Sequence, residues 1–313
     1  HSKVKIKMPE AVIGKRYTYG LDEIDPNYVC LVGPKAANRK GKKGFVLTFA
    51  AYKAFQNVNR GLFIEKAEIK EKLFRIMAVI GLSDFKEDLR ESQRIRTRLG
   101  HIQDLVKRGE IPPELKTEIL TRLKELREKY GKDITFYIRS TFNLEDLLEV
   151  NAAGHYATVE GAKTDEEVLE AIKVVYSSKW NELAFMLRKE KVIEDKEDKL
   201  VYPGVIVEVA EEARFAGLMY TVDINSYDRN WVEIRLSVGQ GSGVVGDSLG
   251  PPAIVRINKI TREFKIDSSA TEKEKRYFID KDGHVVPEEI AVEDRPIFTD
   301  DANDKQGYAF TRD

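Results

Sequence analysis

The stretch "LVGPKAAN" (31–38) places Lys35 directly after a Gly–Pro pair. Glycine lets the backbone come close to a ligand, and a lysine ammonium is a point charge of the kind that holds phosphate groups. The stretch therefore indicates an anion site, with an ordinary Gly–Pro turn as the alternative. It is not a P-loop, because the Gly-x4-Gly-Lys-Ser/Thr spacing is absent.

The stretch "ITFYIRST" (134–141) predicts an apolar strand that ends on Arg139. An arginine in this place is costly unless its guanidinium points into a polar site, because burial of an unpaired charge carries a desolvation penalty. Arg139 therefore predicts a polar site at the end of the strand. The alternative is a simple ion pair with Glu145 or Asp146, which follow in the chain.

The stretch "FAGLMYTVDIN" (215–225) predicts a buried strand, because its apolar side chains alternate with smaller ones. The strand ends in a hydroxyl and a carboxylate, Thr221 and Asp223. A strand that only fills a core does not need these groups at its end. They indicate that this end of the strand faces a polar ligand.

The stretch "SVGQGSGVVGDS" (237–248) is dense in glycine, with Gly239, Gly241 and Gly243 at every second position. Such a loop allows close approach to an anion, and a plain flexible turn is the alternative. A lysine, an arginine and a glycine loop at strand ends together favour a clamp for a triphosphate.

Histidine and cysteine chemistry is not indicated. The four histidines are not spaced as metal ligands with a cysteine or a carboxylate, and the single cysteine has no nearby base. Zinc binding and a Cys–His nucleophile are therefore not predicted. These residues are His1, His101, His155, His284 and Cys30.

Composition excludes several classes of protein. The 313 residues can bury one large core or two modest ones, and 42% of them are hydrophobic. The 52 basic residues face 53 acidic ones, which argues against a general nucleic-acid partner. No apolar run could span a bilayer, and one cysteine excludes an internal disulfide. We therefore expect a folded cytoplasmic protein with no membrane or nucleic-acid partner.

The pattern of elements predicts an α+β fold in two lobes. A helical insertion at about 65–131 lies between the first two motifs, and a helix at about 165–190 begins with a capping box of Thr164 and Glu167. From Tyr202 onward the chain changes to short strands. The predicted domains are residues 1–200 and 201–313, the second incomplete at its C-terminus.

Six stretches, in this order, resemble the nucleotide-binding domain of the pyruvate,phosphate dikinase and phosphoenolpyruvate synthase family. The resemblance covers nearly the whole chain, and it implies an ATP-grasp-like fold with a nucleotide cleft between two lobes. The matching stretches are "VGPKAAN", "GFVLTFAAYKAF", "IRSTFNLED", "AAGHYAT", "VIVEVAEEARFAGLMYTVDIN" and "GQGSGVVGD".

The resemblance implies roles for matching residues. Lys35 and Arg139 would be catalytic, because they would hold the ATP phosphates and offset charge on the transferring group. Glu208, where the family has glutamine, would lie on the adenine side. The resemblance also implies Mg²⁺, whose ligands the sequence does not assign. The other implied nucleotide-binding residues are Gly154, Thr158, Thr221, Asp223, Gly239, Gly241 and Gly243.

The activity implied by the resemblance is that of a dikinase-type phosphotransferase. Such a domain converts ATP to AMP and phosphorylates a histidine on a separate swivelling domain, which then serves pyruvate or another acceptor. The histidines of this chain lack that domain's sequence context, so we expect the phosphohistidine domain elsewhere in the same or another chain. Departures from the family pattern at Pro34, Glu208 and Ser242 leave a catalytically inactive nucleotide-binding or scaffold module as the alternative.

Overall fold

A computed structural model gives the fold of the chain. The structure describes residues 16–71, 89–144, 156–190, 201–241, 244, 252–266, 274–280, 284–291, 297–299 and 307–309. The chain divides into two compact units, His1–Ala210 and Glu211–Asp313. Helices and strands are mixed along the chain, as the predicted α+β class requires.

The first unit is built on a five-stranded sheet. The strands lie in the order β1–β2–β5–β3–β4, and every neighbouring pair is antiparallel. The central strand β5 is buried along its whole length. The strands are β1 (Thr18–Gly20), β2 (Gly44–Leu47), β3 (Phe136–Phe142), β4 (Thr158–Ala162) and β5 (Pro203–Val209).

The position of β5 explains why the division between the units differs from the predicted boundary at residues 200 and 201. The change to strand-like sequence begins at Tyr202, and composition alone groups β5 with the strands that follow. Hydrogen bonding instead places β5 between β2 and β3. The division therefore falls after Ala210.

The described residues of the first unit also form helices. They are α3 (Phe49–Val58), α4 (described over residues 60–71), α5 (Leu89–Lys107), α6 (Pro113–Tyr130), α7 (Asp165–Ser177) and α8 (Glu182–Glu190). The main core contains apolar residues from the sheet and from these helices. In α6, Leu115, Ile119 and Leu123 are buried, as their spacing predicts.

The predicted capping box at the start of α7 is confirmed. Thr164 accepts a hydrogen bond from the backbone of Glu167, whose carboxylate accepts one from the backbone of Thr164 in return. The predicted helix at 165–190 is, however, interrupted between α7 and α8. The hydroxyl of Ser178 donates to the carbonyl of Val175, and Trp180 is buried in the core at the break.

The opposite face of the sheet carries two short helical turns, α1 (Val29–Val32) and α2 (Pro34–Ala37). They enclose a second, smaller apolar cluster. Its buried members are Leu21, Ile24, Val32, Ala36, Ala37, Val46 and Ile206.

Strands dominate the described residues of the second unit. β6 to β9 form a four-stranded antiparallel sheet in chain order, β10 pairs antiparallel with β11, and β12 pairs in parallel with β13. Their bounds are β6 (Phe215–Tyr220), β7 (Trp231–Val238), β8 (Ala253–Asn258), β9 (Phe264–Ile266), β10 (Lys275–Ile279), β11 (Val285–Glu289), β12 (Ile297–Thr299) and β13 (Gly307–Ala309).

Candidate functional site

One face of the first unit's sheet brings together three of the predicted site residues. Alternation along β3 puts Tyr137, Arg139 and Thr141 on the same face. In the strand register, Arg139 lies opposite Thr158 of β4, and Tyr137 lies opposite Glu208 of β5. Arg139, Thr158 and Glu208 therefore share one face of the sheet.

The turn that carries Lys35 is fastened to the same face. The backbone N–H of Ala36 donates to the hydroxyl of Thr141 at 3.1 Å, and that hydroxyl donates to the carbonyl of Val32 at 2.8 Å. Thr141 lies two residues after Arg139 in β3. Arg139 is therefore part of the same strand to which the turn is hydrogen-bonded. The side chain of Lys35 is half-buried.

Gly33 is required by this close approach. Its φ is +85°, and a Cβ atom there would lie 2.8 Å from the carbonyl oxygen of Thr141. A side chain at this position would meet both a strained backbone and a collision. The glycine was predicted to let the backbone approach a ligand, and the approach that the structure shows is to the protein's own strand.

Glu208 is the ion-pair partner of two arginines. Its Oε2 lies 2.6 Å from Nη1 of Arg39 and 3.6 Å from Nε of Arg139. The guanidinium of Arg139 also lies over the ring of Tyr137, 4.9 Å from the ring centroid. The predicted alternative, a pair between Arg139 and Glu145 or Asp146, concerns residues outside the described ranges.

Arg39 is a member of this group that the sequence analysis missed. It follows α2 and lies four residues after Lys35, one helical turn along. Two basic residues at this spacing are a sequence signal for a shared anion site. Burial lowers the pKa of Arg39, Glu208 acts in the opposite direction, and the nearby charge of Arg139 lowers it further.

The hydroxyl of Tyr137 remains neutral over the physiological range. Burial raises the pKa of Tyr137 to about 12, with a contribution in the same direction from the negative charge of Glu160. Tyr137 can therefore act as a hydrogen-bond donor. Its hydroxyl has no hydrogen-bond partner among the residues that the structure describes.

The predicted residues Thr221 and Asp223 lie in the second unit, where Asp223 organises a turn. Its carboxylate accepts hydrogen bonds from the backbone N–H groups of Ser226 and Asn225, and these bonds lower its pKa, with a further contribution from Arg256. Thr221 is exposed, and its carbonyl accepts a hydrogen bond from a lysine side chain. Ligand binding by these two residues stays a prediction.

The predicted glycine loop is described only in part, because Gly243 lies outside the described ranges, as Gly154 of the earlier motif does. Gly239 has a φ of +82°, and a Cβ atom there would collide with the carbonyl oxygen of Tyr277. Gly241 has nothing within 4 Å of the position that its Cβ would take. Packing thus requires a glycine at 239, whereas the space beside Gly241 is open.

The residues around Glu208 do not suit Mg²⁺. Arg39 and Arg139 are both cations, and a divalent ion prefers several oxygen ligands. In the described ranges, no three histidine, cysteine or acidic side chains come together as a metal site would need. Among the helices in the same ranges, none is both long and apolar enough to cross a membrane.

Comparisons with known proteins give one matching family and several similar proteins. The family described as "Pyruvate phosphate dikinase, AMP/ATP-binding domain" matches residues 35–305. The chain is 26% identical over 292 residues to a protein of Methanocaldococcus jannaschii named "Probable phosphoenolpyruvate synthase", which covers 90% of this chain and 23% of that protein. It is 27% identical over 266 residues to the phosphoenolpyruvate synthase of Pyrococcus furiosus, covering 75% of this chain and 32% of the relative.

A third relative gives the same result. The phosphoenolpyruvate synthase of Aeropyrum pernix is 27% identical over 277 residues, which cover 86% of this chain and 32% of that protein. The chain therefore spans between about a quarter and a third of the length of the curated relatives that it matches.

Proposed function

The chain belongs to the pyruvate phosphate dikinase AMP/ATP-binding domain family, and from this membership we propose that it binds ATP as one domain of a dikinase-type phosphotransferase. The observation that carries the proposal is the family match over residues 35–305, which begins at the lysine of the first motif. The proposal includes the ATP-grasp-like fold that the resemblance implies.

The sheet face with Arg139 is the proposed phosphate side of the site. Phosphoryl transfer depends mainly on positioning and on positive charge that offsets the charge of the transferring group. Arg139 and Lys35 would supply that charge. Arg139 lies in β3, and the turn with Lys35 is bonded to β3 through the contact between Ala36 and Thr141. Mg²⁺ would reach the site bound to the phosphates.

The acceptor side of the reaction is proposed to lie outside this chain segment. We expect ATP to be converted to AMP while a histidine on a separate swivelling domain is phosphorylated, for later transfer to pyruvate or another acceptor. The relatives are three to four times longer than the matched region, which leaves room for such domains. We place the protein in the cytoplasm.

Glu208 supports the second candidate, an inactive nucleotide-binding or scaffold module. Its carboxylate already neutralises Arg139 in part, and the family has a neutral glutamine there. Calorimetric titration with ATP and Mg²⁺ tests binding, and formation of AMP in the presence of a phosphohistidine domain of a relative tests activity. Binding without AMP formation favours the inactive module, and absence of binding contradicts both.

A further inference from the structure

The group formed by Arg39, Arg139 and Tyr137 has more hydrogen-bond donors than acceptors. Each guanidinium carries several N–H donors in a planar fork. Within the described residues, Arg139 donates no side-chain hydrogen bond, its buried Nε included, and Arg39 donates one, to Glu208. The buried hydroxyl of Tyr137 also lacks a partner there. A site with this excess of donors suits an anion with several oxygen atoms.

The position of Glu208 shows where an anionic oxygen is stabilised. One carboxylate oxygen, Oε2, lies between the guanidinium groups of Arg39 and Arg139, at 2.6 and 3.6 Å. It reduces the repulsion between two partly buried cations, each with 26% of its side chain exposed. A phosphate oxygen carries comparable charge, and a phosphate offers further oxygens to the remaining N–H donors.

We propose that Arg39 is a phosphate-binding residue of the nucleotide site and that Glu208 is a resident counter-ion which the phosphates displace. This inference rests on the proposed function for the identity of its ligand, a nucleoside polyphosphate. It assigns to Glu208 a role different from contact with adenine. It also explains how two arginines remain close together when no nucleotide is bound.

The ligand probes that test the proposal are ATP, tripolyphosphate and adenosine, titrated into the wild-type chain and its variants by calorimetry. Arg39→Gln should weaken binding of ATP and tripolyphosphate by about tenfold, the loss expected for a charge-assisted hydrogen bond. Binding of adenosine should not change, and this difference excludes a general structural defect.

Glu208→Gln should have the opposite effect on the affinity for tripolyphosphate. Glutamine keeps the shape and an acceptor oxygen but removes the competing charge, so binding of tripolyphosphate should become several-fold tighter. Weaker tripolyphosphate binding in this variant would overturn the counter-ion role. Weaker binding of adenosine would instead indicate that Glu208 contacts the base.

Two further variants serve as controls. Arg127→Gln removes an arginine of similar exposure that pairs with Asp165 on the helical side, and it should leave all three affinities unchanged. Arg39→Lys keeps the charge and is expected to fold even if Arg39→Gln does not. Because lysine lacks the planar fork, its affinity for tripolyphosphate should lie between those of the wild type and Arg39→Gln. Wild-type affinity in both Arg39 variants would refute the proposal.

The same titrations separate this inference from the proposed function. If ATP binds no more tightly than tripolyphosphate and adenosine does not bind, the nucleotide function fails while the anion site stands. If ATP binds and substitution of Arg39 has no effect, the function stands and the inference fails. If the wild-type chain binds neither ATP nor tripolyphosphate, both are contradicted.

Discussion

The hydroxyl of Thr141 accepts a hydrogen bond from the backbone N–H of Ala36 at 3.1 Å. The same hydroxyl donates to the carbonyl of Val32, so one buried side chain satisfies two backbone groups of the turn before and after Gly33. The strand that carries Arg139 and the turn that carries Lys35 are connected through this contact. The arrangement of the proposed cationic site therefore depends on a neutral residue.

Thr141→Val should separate the turn from the strand while keeping the side-chain shape. The N–H of Ala36 and the carbonyl of Val32 would lose their partner, which costs about 1–3 kcal/mol for buried groups. Urea denaturation should show this loss, and ATP affinity should fall with it. Thr117→Val is the control, because the exposed hydroxyl of Thr117 bonds only within its own helix. Equal effects of both substitutions would contradict the prediction.

Gly33→Ala should be more destabilising than Gly41→Ala. Both glycines have a positive φ, +85° and +82°, so both substitutions introduce backbone strain, and at Gly33 a ψ of 159° places the residue in a region that is almost restricted to glycine. At Gly41 nothing lies within 4 Å of the added Cβ, whereas at Gly33 the atom meets Thr141. The difference in the free energy of unfolding between the two variants measures the collision together with the backbone strain that is particular to Gly33. Equal destabilisation by the two substitutions would contradict the prediction.

Lys35→Ala should weaken ATP binding by about tenfold or more, because a charge near the phosphates is removed. Lys42→Ala removes an exposed lysine from the same loop region and is the control. Calorimetric titration with ATP and Mg²⁺ measures both. Equal losses in the two variants would exclude Lys35 from the nucleotide site.

Asp223 should contribute to the acid sensitivity of the second unit. Hydrogen bonds from the backbone of Ser226 and Asn225 hold its pKa below the ordinary value of 3.8. A carboxyl group whose folded pKa is lowered stabilises the fold above its unfolded pKa, and this stabilisation is lost as the pH falls through the folded pKa. Asp223→Asn should therefore flatten the dependence of unfolding on pH below about 4. An acid denaturation curve with the wild-type slope would contradict this role.

Local features of the first unit could be predicted from the sequence. The capping box at Thr164 depends on two residues that are three positions apart. The buried side of α6 depends on apolar residues that recur every four positions. The pair between Arg39 and Glu208 could not be predicted in this way, because the two residues are 169 positions apart in the chain. Their contact depends on strand order and register, which neither local pattern specifies.

The interruption between α7 and α8 shows a similar limit. The apolar periodicity continues through residues 165–190, and it therefore predicts one helix. The structure instead has a short turn at Ser178–Trp180, in which Trp180 is almost fully buried, and the extended backbone of Asn181 then separates the two helices. The resemblance to a known family, in contrast, rested on the order of six motifs and is confirmed by the family match.

The central place of β5 has a consequence for biosynthesis. In the first unit, β1 pairs with β2, and β3 pairs with β4. Strand β5 lies between these two pairs and joins them into one sheet. During translation, the sheet of the first unit stays in two pieces until residues 203–209 have left the ribosome. Nearly all of the first unit must therefore be synthesised before its sheet can form, and until then the apolar sides of its helices have no sheet to pack against.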